Sequence, residues 1–174
     1  MAKRIGLGLA VLLFALPAVA IAAPKTAVMP FEITIDQPPD ALPTMPVKPS
    51  AAESRRLEQA TGQLRKALEE TGQYDVIDLA PVASAVKEAQ PFFKCDGCEA
   101  DVARKAGADL AVTGLVRKVT EALLSVTVEM RAADTGKIAR AGSVSFHENT
   151  DEGWARAVRW LVKNRLTPQG EASR

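Results

Sequence analysis

Leu124, Val126, Val128 and Met130 alternate with Ser125, Thr127, Glu129 and Arg131, and no other stretch limits the possible folds as tightly. A period of two puts the apolar set on one side of an extended strand and the polar set on the other, so one face is buried and one solvated. An Asp134-Thr135-Gly136 turn follows, and "IARAGSVSF" returns as the partner strand with Ile138, Val144 and Phe146 on the core side. Just upstream, "ADLAVTGLVRKV" (108–119) is a mixed apolar run that predicts a strand buried on both faces. Three consecutive strands therefore form an antiparallel meander.

The remaining elements surround that meander. "KTAVMPFEI" (25–33) alternates and breaks at Pro30, as suits a first strand ending near a sheet edge. Residues 36–50 contain five prolines and predict an extended loop. Ser50 is placed to cap a helix running to about Thr71 and closed by Gly72. Its stripe is Leu57, Ala60, Leu64, Ala67 and Leu68, while Arg55 and Arg56 fall on the wet face. "YDVIDL" is a short second strand, "APVASAVKEAQ" a short helix with Pro81 in its first turn, and "EADVARKAG" a third helix. A final helix over 151–166 carries Trp154, Val158, Leu161 and Val162 as its buried stripe. The order β-α-β-α-α-β-β-β-α defines an α/β fold with a mixed five-stranded sheet, a C-terminal antiparallel meander and flanking helices.

The amino terminus addresses compartment. Lys3 and Arg4 precede an apolar run to Ala22 that ends in Ala20-Ile21-Ala22, the pattern of a cleaved secretory leader over 1–22. The expected organisation is that leader, one domain over 23–166 and a fraying tail over 167–174. Losing Lys3 and Arg4 takes the basic count from 22 to 20 against 21 acidic groups. A near-neutral mature chain gives no electrostatic reason to bind nucleic acid.

Cys95 and Cys98 are the only cysteines. In an oxidising compartment a pair two residues apart is read first as a structural disulfide, with Gly97 supplying the backbone freedom of a tight loop. A working dithiol is the alternative, because Cys98 stands near a helix start whose dipole favours a thiolate. Zinc needs two further ligands, and the chain offers one histidine, His147. Glu99 occupies the place where a c-type haem needs histidine. No cofactor is expected.

Glu32, Asp36 and Asp40 recur every four residues and form a candidate oxygen-ligand set for a hard cation such as calcium or a lanthanide. No Ser/His/Asp spacing and no glycine-rich phosphate loop is present. The final helix offers a partner surface instead: Trp160 flanks the buried stripe beside Arg156, Arg159 and Lys163, and tryptophan with arginine is the composition of interface hot spots.

Four stretches together carry a resemblance: "VMPFEI", "CDGCEADVARKAGADLAVTGLVRKVT", "VTVEMRAADTGKIARAGSVSF" and "NTDEGWARAVRWLVKNRL". The chain resembles a family of small bacterial secreted proteins catalogued as a domain of unknown function, over essentially the whole mature length. It is more distantly similar to the amino-terminal domain of TolB and to CsgG-like envelope proteins. The resemblance implies a mixed sheet flanked by helices that acts through protein contacts. It also implies a setting near quinoprotein alcohol dehydrogenases and transport components in methylotrophs. No catalytic residues come with it. The function expected is a soluble periplasmic adaptor, with a thiol-disulfide protein or a metal carrier as alternatives.

Overall fold

A computed structural model of the chain describes residues 22–37 and 47–167. The expected leader apart from Ala22, the middle of the proline-rich loop with Asp40, and the tail beyond Thr167 lie outside the described residues. Six strands make one mixed sheet: β1 (Lys25–Val28), β2 (Glu32–Ile35), β3 (Asp75–Val76), β4 (Leu110–Lys118), β5 (Leu124–Ala132) and β6 (Ile138–Phe146). Their order is β3-β1-β4-β5-β6, and β2 pairs with β4 beyond the end of β1. The expected five strands become six because Met29-Pro30-Phe31 interrupts the first one, as an imino acid without an N–H must. Both pieces run parallel to β4, whereas β4, β5 and β6 form the expected antiparallel meander.

Helices cover the sheet unequally. On one face lie α1 (Ala51–Glu70) and α4 (Asp151–Leu161), packed through Leu64, Leu68, Trp154, Val158 and Leu161 against Val112, Val116, Val126, Val128 and Met130. On the other, α2 (Ala83–Ala89) and α3 (Cys98–Lys105) cover Ala27, Met29 and Ala111. Only the start of β4 is buried on both faces. From Thr113 onward β4 alternates, and Thr113 and Leu115 line an open cleft on that face.

Ser50 caps α1 as expected, and does so as a full capping box: its Oγ accepts from the Glu53 N–H while the Glu53 carboxylate accepts from the Ser50 N–H. Glu53 is itself buried and also accepts from Lys118 Nζ at 2.8 Å, which ties the first turn of α1 to the end of β4. Arg56 departs from its expected wet position. Its side chain is only 18% exposed and pairs with Asp151 at 2.7 Å.

Ile138 is a second correction. It is 51% exposed, not core. Met130 pairs with Arg140 but Arg131 pairs with Ile138, so one residue of β6 is unmatched and the phase inverts there. Val144 and Phe146, beyond the bulge, keep the core side.

The final helix differs from a uniform 151–166 span. After Leu161 it widens into a π-helical turn over Val162–Leu166, closed by Thr167 N–H donating to Val162 O at 3.1 Å. The Tyr74 hydroxyl donates to Leu166 O and anchors this turn to the core. Burial pushes the Tyr74 phenol up from its ordinary value, against the lowering influence of Arg140.

Candidate functional site

The turn from β6 into α4 is built by Asn149-Thr150-Asp151. Thr150 Oγ1 accepts from the Gly153 N–H at 3.1 Å and caps α4, with Asp151 and Glu152 in the first turn where the dipole favours them. Asn149 Oδ1 accepts from Trp154 Nε1 at 3.0 Å and from Arg56 Nη1 at 3.2 Å, which joins the turn to both helices. Gly153 is required by space: a Cβ there would lie 2.3 Å from Glu148 O. Trp154 meets Phe146 edge-to-face with ring centroids 6.4 Å apart. The stretch 149–154 is thus a joint that fixes α4 against β6.

That joint leaves a groove of about 340 Å³ between the end of β6 and α4, lined mainly by Val144, Phe146, His147, Arg156, Ala157 and Trp160. Trp160 is 40% exposed at its mouth. The guanidinium of Arg165 lies over the indole, its Cζ 5.6 Å from the ring centroid. Arg156 Nη2 pairs with Glu148 Oε2 at 2.6 Å across the rim. Floor and rim differ in character: apolar side chains below, charge around the edge.

The structure divides the four partner residues expected from the sequence. Trp160 and Arg156 share this groove with His147. Arg159 and Lys163 turn to the other flank of the helix, where they line a separate depression against Ala67, Glu70 and Thr71 of α1 and its end. What separates the two flanks is the neighbour on each side of the helix, the end of β6 on one and α1 on the other. Arg165 was not among the expected residues. The π-turn brings it back over Trp160, and no periodicity of an ordinary helix signals that.

Cys95 and Cys98 are joined in a disulfide, with Cα atoms 5.9 Å apart. Gly97 has φ +88°, a left-handed value that glycine adopts at least cost, and caps α3, of which Cys98 is the first residue. Beside the bridge lies a cleft of about 260 Å³ lined by Glu32, Phe92, Phe93, Cys95, Glu99 and Arg131, among others. Glu99 is buried, ion-pairs with Arg131 at 2.9 Å and comes within 3.8 Å of Cys95 Sγ. Cys95, Cys98 and Glu99 hold their ligand atoms within 4.8 Å of one another, although the two sulfurs here are committed to the bridge.

The acidic set is not assembled. Glu32 spends its two oxygens on the N–H groups of Phe92 and Phe93, at 3.0 and 3.2 Å. Asp36 pairs with Arg117 at 2.7 Å, and Asp40 lies outside the described residues. Among the described residues no helix is long and apolar enough to cross a membrane.

A mixed sheet with an antiparallel end and helices on both faces is an architecture shared with solved bacterial proteins. The C-terminal domain of LpoB from Salmonella enterica is similar with a TM-score of 0.52 at 15% identity, covering 75% of this chain and 87% of that one. That domain from Escherichia coli matches at 0.50 and 17%, covering 75% and 88%. At such identities the likeness is one of fold. Residues 24–166 match the family described as Protein of unknown function (DUF2380), and the chain belongs to that family. No curated protein sequence matches it.

Proposed function

We propose that this protein is a periplasmic docking module, exported by the leader over 1–22 and working as one domain over 23–166, with 167–174 as its tail. It binds a protein of the cell envelope and performs no chemistry of its own. The observation that carries this reading is Trp160: a large aromatic ring, exposed at the mouth of an apolar groove and held in place by Arg165. A preorganised aromatic anchor beside a pocket is the arrangement of an interface hot spot, since little side-chain entropy is left to lose on binding. Arg156 belongs to this surface, and Arg159 with Lys163 supplies a second, charged flank. The similar solved structures are LpoB domains and not the TolB or CsgG-like proteins that the sequence resemblance implied; the setting near quinoprotein alcohol dehydrogenases and transport components, implied by that same resemblance, is where we would seek the partner.

Affinity isolation from a periplasmic extract tests it. Wild-type protein is expected to retain a defined partner that Trp160→Ala loses and Glu58→Ala, on the wet face of α1, keeps. Equal retention by all three proteins, or none by any, counts against the groove.

A second reading has an observation of its own. Cys95 lines the cleft in which buried Glu99 and Arg131 meet, so a thiol-disulfide role would find its sulfur reachable and a charged pair beside it. The reduction potential separates the two: a staple lies below about −300 mV, a working dithiol near −200 mV or above.

A further inference from the structure

We infer that the groove is one half of a larger site, completed by the free edge of β6, and that the partner enters as an added strand: an extended segment, apolar at alternate positions and acidic at its flanks. This rests on the docking function proposed for the Trp160 groove and supplies its partner's chemistry.

The sheet has three open edges, and they are not alike. β3 is two residues long. β2 is four residues long, and Glu32 ties the turn at Phe92–Lys94 against it through two N–H groups. β6 is nine residues long and terminal in the sheet. Its only backbone ladder is with β5, and among the described residues no backbone hydrogen bond reaches its outer side. Edges of this length are normally guarded by lysine, proline or inward charge. From Ala141 to Phe146 the sequence is Ala-Gly-Ser-Val-Ser-Phe, with none of these. The bulge distorts only the Ile138 end.

Side-chain direction then defines the occupant. Val144 and Phe146 pack toward α4 and line the groove with Ser145 at its edge, while Ser143 stands on the opposite, open face, where its Oγ accepts from Thr127 Oγ1 at 3.0 Å. A strand added alongside alternates in the same sense. Its residues on the α4 side fall beside Trp160 and must be apolar; those on the other side meet hydroxyls and must be polar. Arg140 belongs to β6 itself, Arg165 packs over Gly142, and Arg156 pairs with Glu148; these three arginines and one glutamate leave a surplus of positive charge that favours acidic flanks. A second copy of this chain would add its own surplus of positive charge to the seam rather than offset it, so the occupant is a different polypeptide.

The probe is a capped seven-residue peptide in which valine alternates with threonine between terminal glutamates, titrated into the isotopically labelled chain and followed by NMR and amide exchange. At saturation the outward amides of Ala141–Phe146 are expected to exchange about tenfold more slowly, with the Trp160 indole shifted. A peptide N-methylated at alternate amides is expected not to bind, and one ending in lysines to bind more weakly. Trp160→Ala is expected to weaken binding while keeping edge protection at saturation. Movement of the Trp160 signal without β6 protection, or equal binding of the N-methylated peptide, overturns strand addition and leaves the groove standing. Silence at both positions overturns strand addition and removes support from the groove as well. Protection of β6 in the protein alone, growing with its concentration, gives the edge to a second copy and overturns the assignment.

Discussion

Arg165 lies over the ring of Trp160, with Cζ 5.6 Å from the centroid. The two residues are five apart in sequence, a spacing that an α-helix places on different faces and that the π-turn over Val162–Leu166 brings together. The exposed indole is therefore a held ring rather than a mobile one. An exposed cation–π contact contributes about 0.5–1 kcal/mol, so Arg165→Ala is expected to cost no more than that in stability. It should nevertheless raise acrylamide quenching of the exposed tryptophan. Unchanged quenching would mean that the stack does not hold Trp160.

Gly153 and Gly62 give opposite expectations for one kind of substitution. A Cβ at Gly153 meets Glu148 O at 2.3 Å, whereas at Gly62 nothing lies within 4 Å. Gly153→Ala should destabilise by about 2–3 kcal/mol, because the backbone of the β6–α4 joint has to move. Gly62→Ala, on the exposed side of α1, should stabilise by about 0.5–1 kcal/mol through helix propensity. Urea denaturation midpoints check both.

The buried pair of Glu53 and Lys118 carries a pH dependence. Burial alone pushes the Glu53 carboxyl up, but the Lys118 ammonium and the Ser50 N–H and hydroxyl outweigh it and hold the group at about 2, below its ordinary 4.5. A carboxyl that is harder to protonate folded than unfolded stabilises the fold above about pH 4.5, and the contribution is lost as pH falls toward 2. The loss amounts to about 3 kcal/mol. Lys118 keeps its ion pair with Glu121 at 2.6 Å, so Glu53→Gln should cost less than that at neutral pH, and it should flatten the stability profile between pH 4.5 and about 2, the ordinary and the folded values.

Opening the Cys95–Cys98 bridge should have a small thermodynamic effect. The bridge spans three residues of sequence separation, and so short a loop contributes at or below about 2 kcal/mol in the chain-entropy account. The Cys95→Ser/Cys98→Ser double variant should stay folded and keep the groove on the other face of the sheet. A loss above about 4 kcal/mol would mean that the bridge organises the cleft of Glu99 and Arg131 as well.

Elements governed by local periodicity were legible in the sequence. The meander, the stripe of α1 and the stripe of α4 each follow from residues whose neighbours two, three or four positions away decide their burial. What escaped was set by distant partners. Arg56 looks wet by its position on α1 and becomes half-buried because Asp151 and Asn149 arrive from a turn more than ninety residues on. The pairs Glu53–Lys118 and Glu99–Arg131 join charges more than thirty positions apart, so no local pattern announces them; of the four, alternation placed Arg131 on a wet face. Ile138 fits the alternation of its strand, but a single unmatched residue inverts the phase. The row of Arg156, Arg159 and Lys163 reads as one patch because sequence does not say which neighbour packs on each side of the helix. With β6 on one side and α1 on the other, the row divides.

The most direct measurement places a photo-crosslinking amino acid at position 160 of the protein expressed in cells and, separately, at position 58 on the wet face of α1. A discrete protein adduct is expected from position 160 and none of that kind from position 58. No adduct from position 160, or the same adduct from both, would contradict docking through the β6–α4 groove.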